Sequence, residues 1–260
     1  MFKDSYLFYK LKYSPIGRQL LSWRHQKLKK LPPWEVHLYQ EILKDAPPGA
    51  LVFDIGASLG DISEIFVELG HQVIAIEPAP SNIRRLQARF SHHQQVKVVK
   101  AAVGAEPGIA QLYLHDSGST LHTLSSKWKN HLSQSSKDEM GKQFHFSRSI
   151  AVSVTTIQHL VKEFGQPYFI KIDAEGFEQE ILSALPCTVP CLSFEVNLPI
   201  FLKESIHCVN ILSSQNPNYR FSYATNVNVL PKRFVSADEM ILFLKNTNLQ
   251  HLDICCKSIT

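Results

Sequence analysis

Short apolar runs alternate with amphipathic stretches along most of the chain. The runs "ALVFDI", "HQVIAIE" and "YFIKID" have the length of strands that are buried on both faces of a parallel sheet. The stretch "DISEIFVELG" follows the first run and is predicted to be a helix that ends at Gly70. Its apolar face is formed by Ile62, Ile65, Phe66 and Leu69. A strand, a turn and a helix therefore recur in that order.

Further strands and helices follow, and several helices have recognisable starts. Ser81 is the predicted N-cap of "SNIRRLQARF", and Thr155 or Thr156 that of "TIQHLVKEFG". Ser236 and Glu239 form the pattern of a capping box before the last helix. Strands are predicted at "VKVVKAAVG", "IAQLYLH", "SIAVSVTT", "CLSFEVN" and "YRFSYAT". This alternation predicts an α/β fold with an open, mostly parallel sheet and helices on both faces.

Two segments depart from this rhythm. The sequence "DAPPGA" contains paired prolines, which cannot continue a helix, so it separates a helical extension at 1–48 from a main domain at 49–260. The polar segment 125–147 has little apolar periodicity and is predicted to be a mobile loop or lid.

The net charge of +4 is concentrated near the N-terminus, where residues 1–31 contain eight basic side chains and one acidic side chain. Such an arm could contact an anionic membrane surface. We favour a helical extension that covers the active-site cleft with Trp23, Trp34 and its leucines. No basic pattern interleaved with aromatic residues indicates nucleic-acid binding, and the sequence predicts no particular oligomeric state.

The five cysteines are odd in number and lack the spacing of a structural zinc site. Disulfide frameworks belong mainly to small secreted domains. The N-terminus has no clear signal peptide, and no apolar run reaches the roughly 18 residues of a membrane span. We therefore expect reduced thiols in a cytoplasmic protein.

The turn after the first strand, "DIGASLG", has the features of a cofactor site. Asp54 ends the strand, and Gly56 and Gly60 can adopt positive φ and let a ligand approach the backbone. Glu77 ends the second strand, where a carboxylate can accept hydrogen bonds from both ribose hydroxyls. Ligands of open α/β sheets bind beyond the carboxyl ends of the strands. The turn is therefore expected to hold a nucleotide-like cofactor.

The charges beside this turn favour one cofactor class over another. A dinucleotide site has the pattern Gly-x-Gly-x-x-Gly, but here Ala57 and Ser58 stand where that pattern has x and its second glycine. Asp54 and Asp61 would repel a pyrophosphate, whereas they suit the sulfonium and ammonium groups of S-adenosylmethionine. The sequence therefore favours the methyl donor, and a nicotinamide-dependent oxidoreductase remains the alternative.

A second acidic motif, "YFIKIDAEGFEQEIL", brings Asp173 to the same edge of the sheet. Glu175 and Glu178 follow in a tight turn that opens a helix, and Glu195 ends the next strand. Capping of a helix start explains one acid in such a turn. It explains less readily why three acids occur there together, so we expect some of them to act on a ligand.

Taken together, these motifs resemble the FkbM-like family of S-adenosylmethionine-dependent methyltransferases. The resembling pieces are "FDIGASLGDIS", "VIAIEPAPSNIRRL", "VVKAAVG", "STLHTL", "VSVTTIQHLV" and "FIKIDAEGFEQEIL", over about 50–197. The resemblance implies a Rossmann-like class I methyltransferase fold with seven strands, the last of them antiparallel. It also implies O-methylation of a hydroxyl on a sugar, polyketide or other small metabolite. A non-catalytic binding protein on the same fold is a further alternative.

The same resemblance implies which residues line the cofactor. Ala101 or Ala102 would lie near the adenine, and Asp173 at the edge where the methyl group is transferred. The full set of predicted cofactor residues is Asp54, Gly56, Ala57, Ser58, Gly60, Asp61, Glu77, Pro78, Ala101, Ala102 and Asp173.

An alcohol acceptor must lose its proton, and a positioned base accelerates such a step by ~10²–10⁴-fold. The predicted catalytic residues are Asp173, Glu175 and His122, with His115 as a further candidate base. The acids could instead hold a hard, oxygen-ligated cation. No histidine joins them in sequence, and we assign no metal site.

Overall fold

The computed structural model describes residues 33–115, 119–135, 143–225 and 233–259. Ten strands are present in these ranges: β1 Leu51–Ile55, β2 Gln72–Ile76, β3 Val96–Val99, β4 Ala102–Val103, β5 Gly108–Leu114, β6 Arg148–Thr155, β7 Phe169–Ile172, β8 Cys191–Asn197, β9 Tyr219–Ala224 and β10 His251–Ser258. Eight helices accompany them: α1 Pro33–Ile42, α2 Asp61–Glu68, α3 Pro80–Arg89, α4 Ser126–Ser135, α5 Ile157–Phe164, α6 Glu178–Ser183, α7 Leu202–Gln215 and α8 Ala237–Asn246.

Seven strands form the main sheet in the order β3-β2-β1-β7-β8-β10-β9. In this order the first five strands, β3, β2, β1, β7 and β8, pair in parallel. Strand β10 is antiparallel to both of its neighbours, β8 and β9. This confirms the predicted seven-stranded, mostly parallel α/β fold with an antiparallel last strand. The chain runs outward from β1 through β2 to β3 and then returns to the other side of β1 as β7. Such a reversal opens a crevice at the carboxyl ends of β1 and β7.

A second, three-stranded sheet in the order β4-β6-β5 lies beside the crevice. Strands β5 and β6 pair antiparallel along their length, from Gly108 with Val154 to Leu114 with Arg148. The sequence predicted β5 and β6 without indicating that they form a separate sheet. The single strand predicted at "VKVVKAAVG" is wrong, because it is divided into β3 of the main sheet and β4 of this one. Their buried Leu112 and Val152 pack in one cluster with Ala79 and Ala102, which follow β2 and β3.

Helix α1 belongs to the packed core of the domain. The ring of Tyr39 contacts Phe66 of α2 and Phe169 of β7, with ring centroids 4.9 and 6.0 Å apart. All three side chains are almost fully buried. The end of the N-terminal extension is therefore fixed to the main sheet. The rest of the basic arm, including Trp23, lies outside the described residues, and the domain boundary after residue 48 stays a prediction.

Two of the predicted helix starts are confirmed and one is wrong. The Thr156 side chain accepts a hydrogen bond from the His159 N–H, and Ser236 forms the predicted capping box. Helix α3, however, begins with Pro80 after Ala79, so Ser81 lies inside its first turn. The fixed φ of proline and its missing N–H suit the first position of a helix, which explains the earlier start.

The prediction of a loop over 125–147 is wrong for its first part, because Ser126–Ser135 is helix α4. Trp128 and Leu132 are buried and cluster with Phe201. Only these two apolar positions mark the buried face, and their partner lies far away in sequence. Helical periodicity within the segment is therefore weak. Residues 136–142 lie outside the described ranges.

Two further predictions concern the state of the cysteines and the presence of membrane-spanning helices. All five cysteines are free, and four of them are buried. None of the helices in the described ranges is long and apolar enough to cross a membrane.

Candidate active site

A cavity of about 480 Å³ lies at the carboxyl ends of β1, β2 and β7. It receives residues from both acidic motifs and from the segment before α4. All of the predicted cofactor residues except Gly60 line it. The other lining residues are Glu35, Ile55, Leu59, Ile62, Ile76, Asn82, Val103, Leu112, Thr120, His122, Leu124, Lys171, Ala174, Glu175 and Glu195.

The glycine turn after β1 brings the two acidic motifs together. Gly56 has a φ of 79°, and a Cβ atom there would lie 1.7 Å from the carbonyl oxygen of Asp173. No side chain fits at that distance, so Gly56 allows the end of β7 to approach the turn. Gly60 also has positive φ, and a Cβ there would press against Leu86 and Phe90. Gly60 therefore serves the packing of the turn, whereas Gly56 faces the cavity.

Glu77 is held at the end of β2 by main-chain donors. The Ser58 N–H donates to its Oε2 at 2.9 Å, and the Ala79 N–H donates to its Oε1 at 2.8 Å. Burial raises the pKa of Glu77 to about 7, and the two N–H donors oppose that rise. The carboxyl group is thus fixed in place and changes its charge near neutral pH.

Asp54 is fully buried between the turn and β7. Its Oδ2 accepts a hydrogen bond from Ser63 Oγ at 2.5 Å. Its Oδ1 has no hydrogen-bond partner within the described residues, and Lys171 Nζ is 3.9 Å away. Burial raises the pKa of Asp54, while Lys171 opposes that rise. One carboxylate oxygen in the cavity wall is therefore left for a ligand.

Lys171 supplies positive charge between the two motifs. Its Nζ lies 2.9 Å from Asp173 Oδ2 and is itself buried. Burial disfavours its charge, yet Asp173 and Asp54 together raise the pKa of Lys171. The ammonium group therefore stays charged and links the acid of β1 to the acid after β7.

Asp61 contributes less charge to the cavity than its position in the sequence suggested. Its carboxylate is largely exposed and accepts a hydrogen bond from Arg89 Nη1 at 2.6 Å. Arg89 also pairs with Glu64. Part of the negative charge beside the turn is therefore neutralised, and the electrostatic argument against a pyrophosphate rests more on Asp54.

Three carboxylates meet in the cavity wall beyond β7 and β8. Asp173, Glu175 and Glu195 each place an oxygen within 4.8 Å of the others. Trp128 Nε1 donates to Glu175 Oε2 at 2.7 Å, and Asn197 Nδ2 donates to Glu195 Oε2 at 2.9 Å. We call this group the acid cluster. It combines residues from the ends of β7 and β8, and α4 holds it through Trp128.

Burial and mutual repulsion raise the pKa of the two glutamates in the acid cluster. Burial raises the pKa of Glu175 well above its usual range, and the charge of Asp173 adds to that effect, while the Trp128 N–H opposes it. Burial followed by the charge of Asp173 likewise raises the pKa of Glu195. A carboxylate with a raised pKa accepts a proton more readily near neutral pH.

Glu175 occupies an unusual backbone position. Its φ of 53° lies in the left-handed region, and so does that of the following Gly176 at 89°. A non-glycine residue there costs of order 1–3 kcal/mol, and such residues cluster at functional sites. Glu178, by contrast, accepts hydrogen bonds from the N–H groups of Ala174 and Gly176, so this acid caps the turn.

The two histidines of the predicted site have different surroundings. The main-chain N–H of His115 donates to His122 Nδ1 at 3.2 Å, while the imidazole Nδ1 of His115 contacts Ser119 Oγ. Only His122 lines the cavity. Burial lowers the pKa of His122 to about 4, with a further contribution from His115. The role of His122 as a base stays a prediction, but the occupied Nδ1 favours a donor role for the neutral ring.

The acid cluster is also the group within the described residues that could hold a cation. Its ligand atoms are all carboxylate oxygens, which hard divalent cations prefer. The sequence assigned no metal here, and Lys171 already balances part of the charge.

Several residues that line or support the cavity were not predicted from the sequence. Glu195 was noted only as an acid at the end of a strand, and Glu35, Asn82, Lys171 and Trp128 were not selected. Lys171 carried a usable signal, because a lysine inside the buried strand "YFIKID" requires a partner. Nothing in the local sequence around Trp128 indicated a hydrogen bond to the acid motif.

The sheet order with its antiparallel last strand, and the cavity beyond β1 and β7, define a class I methyltransferase fold. Residues 54–248 match the model of the family described as "Methyltransferase FkbM domain", and the chain belongs to this family. Its cofactor is therefore S-adenosylmethionine. Methyl transfer is thereby favoured over the nicotinamide-dependent alternative.

Solved structures with a similar fold are distant in sequence. The precorrin-6y C5,15-methyltransferase from Geobacter metallireducens is 11% identical over 86% of this chain and 87% of its own, with a TM-score of 0.45. The plantazolicin methyltransferase BpumL in complex with SAH is 10% identical over 96% and 94%, with a TM-score of 0.43. A TehB-like SAM-dependent methyltransferase from Corynebacterium glutamicum is 11% identical over 96% and 98%, with a TM-score of 0.42. No curated protein matches the sequence.

Proposed function

We propose that this methyltransferase transfers the methyl group to a hydroxyl oxygen of a sugar, a polyketide or another small metabolite. The observation that carries the proposal is the acid cluster at one end of the cofactor cavity. Ionised carboxylates only accept hydrogen bonds, so they suit an acceptor that donates from a hydroxyl group. The close contact between Gly56 and the Asp173 carbonyl keeps this cluster beside the cofactor turn.

The part of the cavity between Glu77 and the glycine turn would hold the cofactor. Ionised Glu77 would accept hydrogen bonds from the ribose hydroxyls, in addition to its two main-chain donors. The unpaired Oδ1 of Asp54 would accept one from the ammonium group. Ala101 and Ala102, both buried in the wall, would lie against the adenine. Gly56, Ala57 and Ser58 of the turn would contact the cofactor through their main chain.

When bound, S-adenosylmethionine supplies a methyl carbon that is activated by the neighbouring sulfonium. The acceptor oxygen would take this methyl group, and its hydroxyl proton would pass to a carboxylate of this chain. We assign that proton to Asp173 or Glu175. Lys171 holds Asp173 in position, and the raised pKa of Glu175 suits it to accept a proton near neutral pH. Alignment of the reacting groups can contribute a further ~7–11 kcal/mol.

The end of the N-terminal extension would help to close the site. Glu35 in the first turn of α1 lines the cavity, and Trp34 packs against the core cluster that contains Tyr39. The position of Glu35 supports the interpretation of the extension as a cover for the cleft. We also propose a cytoplasmic location, consistent with five free cysteines.

The test is a screen for methylated products. The protein is incubated with methyl-labelled S-adenosylmethionine and a panel of sugars, polyketides, phenols and amines, and products are analysed by mass spectrometry and NMR. We expect a methyl ether from a hydroxylated acceptor and no product with Asp173→Asn. Transfer to an amine nitrogen alone would contradict O-methylation while leaving the methyl donor in place.

Binding of the cofactor is tested separately. Calorimetric titration should show that S-adenosylhomocysteine binds and that NAD does not. If neither bound and Glu77→Ala changed nothing, a non-catalytic protein on this fold would be the better account.

A further inference from the structure

The segment that leads into α4 contributes three residues to the cavity wall. We call residues 119–125 the strap. At its start the Ser119 carbonyl accepts a hydrogen bond from Asn82 Nδ2 of α3 at 3.0 Å. Near its end Thr123 Oγ1 donates to the carbonyl of Glu175 at 2.7 Å. The strap is therefore tied on one side to the helix that follows Glu77 and on the other side to the acid cluster.

Side chains of the strap alternate between the cavity and the surrounding structure. Thr120, His122 and Leu124 line the cavity. Thr123, between the last two, makes the bond to Glu175. This alternation is expected of an extended segment, because successive side chains point to opposite sides. His122 is thus the middle one of the three side chains that the strap presents to the cavity.

The hydrogen bonds of His122 determine which nitrogen carries the proton. Nδ1 accepts from the His115 N–H at 3.2 Å, so the neutral ring has its hydrogen on Nε2. His122 is only 9% exposed, and its Nε2 has no hydrogen-bond partner within the described residues. Buried donors are almost always paired. An unpaired one in a cavity wall therefore indicates a ligand atom that accepts a hydrogen bond.

The position of Leu124 indicates which ligand this is. Two residues after His122, Leu124 packs in the cluster that contains Ala79 and Ala102, at the cofactor end of the cavity. The carboxylates of the acid cluster line the same cavity and would be strong acceptors, yet none of them reaches Nε2. The packing of Leu124 against Ala79 and Ala102 therefore favours the cofactor over the acceptor hydroxyl as the partner of this N–H.

We propose that His122 binds the cofactor by donating its Nε2–H to a nitrogen or oxygen atom of the adenosyl group. The inference rests on the proposed function, because it assumes that S-adenosylmethionine occupies this cavity. It assigns to His122 a binding role instead of the proton transfer expected from the sequence. It also gives a role to the two hydrogen bonds of the strap, because those of Asn82 and Thr123 hold the His122 ring in position beside the ligand.

The test compares two substitutions that each keep one half of the imidazole. The amide oxygen of His122→Asn can replace Nδ1 and still accept from His115, but it leaves no donor at Nε2. The amide nitrogen of His122→Gln can replace Nε2. His159→Asn, on the exposed side of α5, is the matched control. S-adenosylhomocysteine and 5′-methylthioadenosine, which lacks the amino-acid part, are titrated calorimetrically into all four proteins.

We expect His122→Asn to weaken both ligands about fivefold to tenfold, which corresponds to one lost neutral hydrogen bond. His122→Gln should stay within about twofold of the parent protein, as should His159→Asn. The inference is overturned if folded His122→Asn binds both ligands normally, if only S-adenosylhomocysteine is weakened, or if folded His122→Gln loses as much affinity as His122→Asn. Failure of the parent protein to bind S-adenosylhomocysteine would instead remove the proposed function on which the inference rests.

Discussion

At the cofactor end of the cavity, main-chain groups fix the geometry. The Ser58 and Ala79 N–H groups hold Glu77, and the bare Cα of Gly56 admits the Asp173 carbonyl. At the acid cluster, side chains fix it instead, because Trp128 and Asn197 hold the glutamates. The first arrangement depends on backbone geometry within two βα units. The second depends on contacts between distant segments, which makes it easier to alter without disturbing the fold.

The largest effect is expected at Gly56, where the glycine turn contacts the Asp173 carbonyl. In Gly56→Ala the new Cβ would lie 1.7 Å from the Asp173 carbonyl, at a φ of 79°. We expect a loss of roughly 3 kcal/mol or more in the free energy of unfolding and loss of S-adenosylhomocysteine binding. Thermal unfolding and calorimetry measure both effects.

Gly49→Ala is the matched control, because Gly49 has a φ of 72° but no atom within 4 Å of the added Cβ. It should cost only about 1 kcal/mol for the backbone conformation. Equal effects of the two substitutions would show that the contact with Asp173 is unimportant.

Asp173→Asn tests the acid cluster alone. The amide keeps the shape of the side chain but loses the charge that pairs with Lys171 and could accept a proton. We expect turnover of the acceptor found in the screen to fall at least tenfold, because a positioned base contributes ~10²–10⁴-fold. Asp238→Asn, an exposed acid in α8, should leave turnover unchanged. Unchanged turnover in Asp173→Asn would remove this residue from the mechanism.

Glu77 should make cofactor affinity depend on pH. Its pKa is raised to about 7, so the carboxyl group is mostly protonated at pH 6 and mostly ionised at pH 8. The ionised form accepts the ribose hydroxyls, and the affinity for S-adenosylhomocysteine should therefore rise up to about tenfold over this range. Calorimetry across pH measures the effect, with Glu68→Gln as an exposed control. A flat profile in the parent protein, or an unchanged profile in Glu77→Gln, would contradict the assignment.

The smallest expected effect concerns the side chain that supports the acid cluster from α4. Trp128→Phe keeps an aromatic ring beside Phe201 but removes the N–H that favours ionised Glu175. The pKa of Glu175 should then rise further. The pH at which turnover rises should therefore shift upward by about one unit. At neutral pH turnover falls severalfold and recovers at higher pH. A uniform loss of turnover at every pH would indicate a packing defect instead.

The same contrast explains how much of the molecule could be predicted from the sequence. The turn at Gly56 and the acid Glu77 follow from local patterns, because one strand, turn and helix contain the required information. The seven-stranded sheet was implied by the family resemblance, and β10 was not predicted from a local pattern. The helix that carries Trp128 did not follow, since its buried face is completed by Phe201. The pairing of Glu175 with Trp128 and the neutralisation of Asp61 by Arg89 likewise depend on contacts between distant segments.

The histidines illustrate a further limit of sequence analysis. The sequence could identify His122 as a candidate base, because a histidine near a cleft is a plausible proton acceptor. Its tautomer depends on the His115 N–H and on burial, neither of which has a local sequence signal. The geometry therefore supports the proposed binding role, which residue type alone could not indicate.

The central claim is that the cavity has a cofactor end at Glu77 and a separate acid cluster at Asp173. Calorimetric titration of S-adenosylhomocysteine into folded Glu77→Ala and Asp173→Asn tests it most directly. We predict that Glu77→Ala weakens binding at least tenfold, because the ribose loses its acceptor, while Asp173→Asn stays within about twofold of the parent protein. Equal losses in the two variants, or a loss confined to Asp173→Asn, would contradict the division of the cavity.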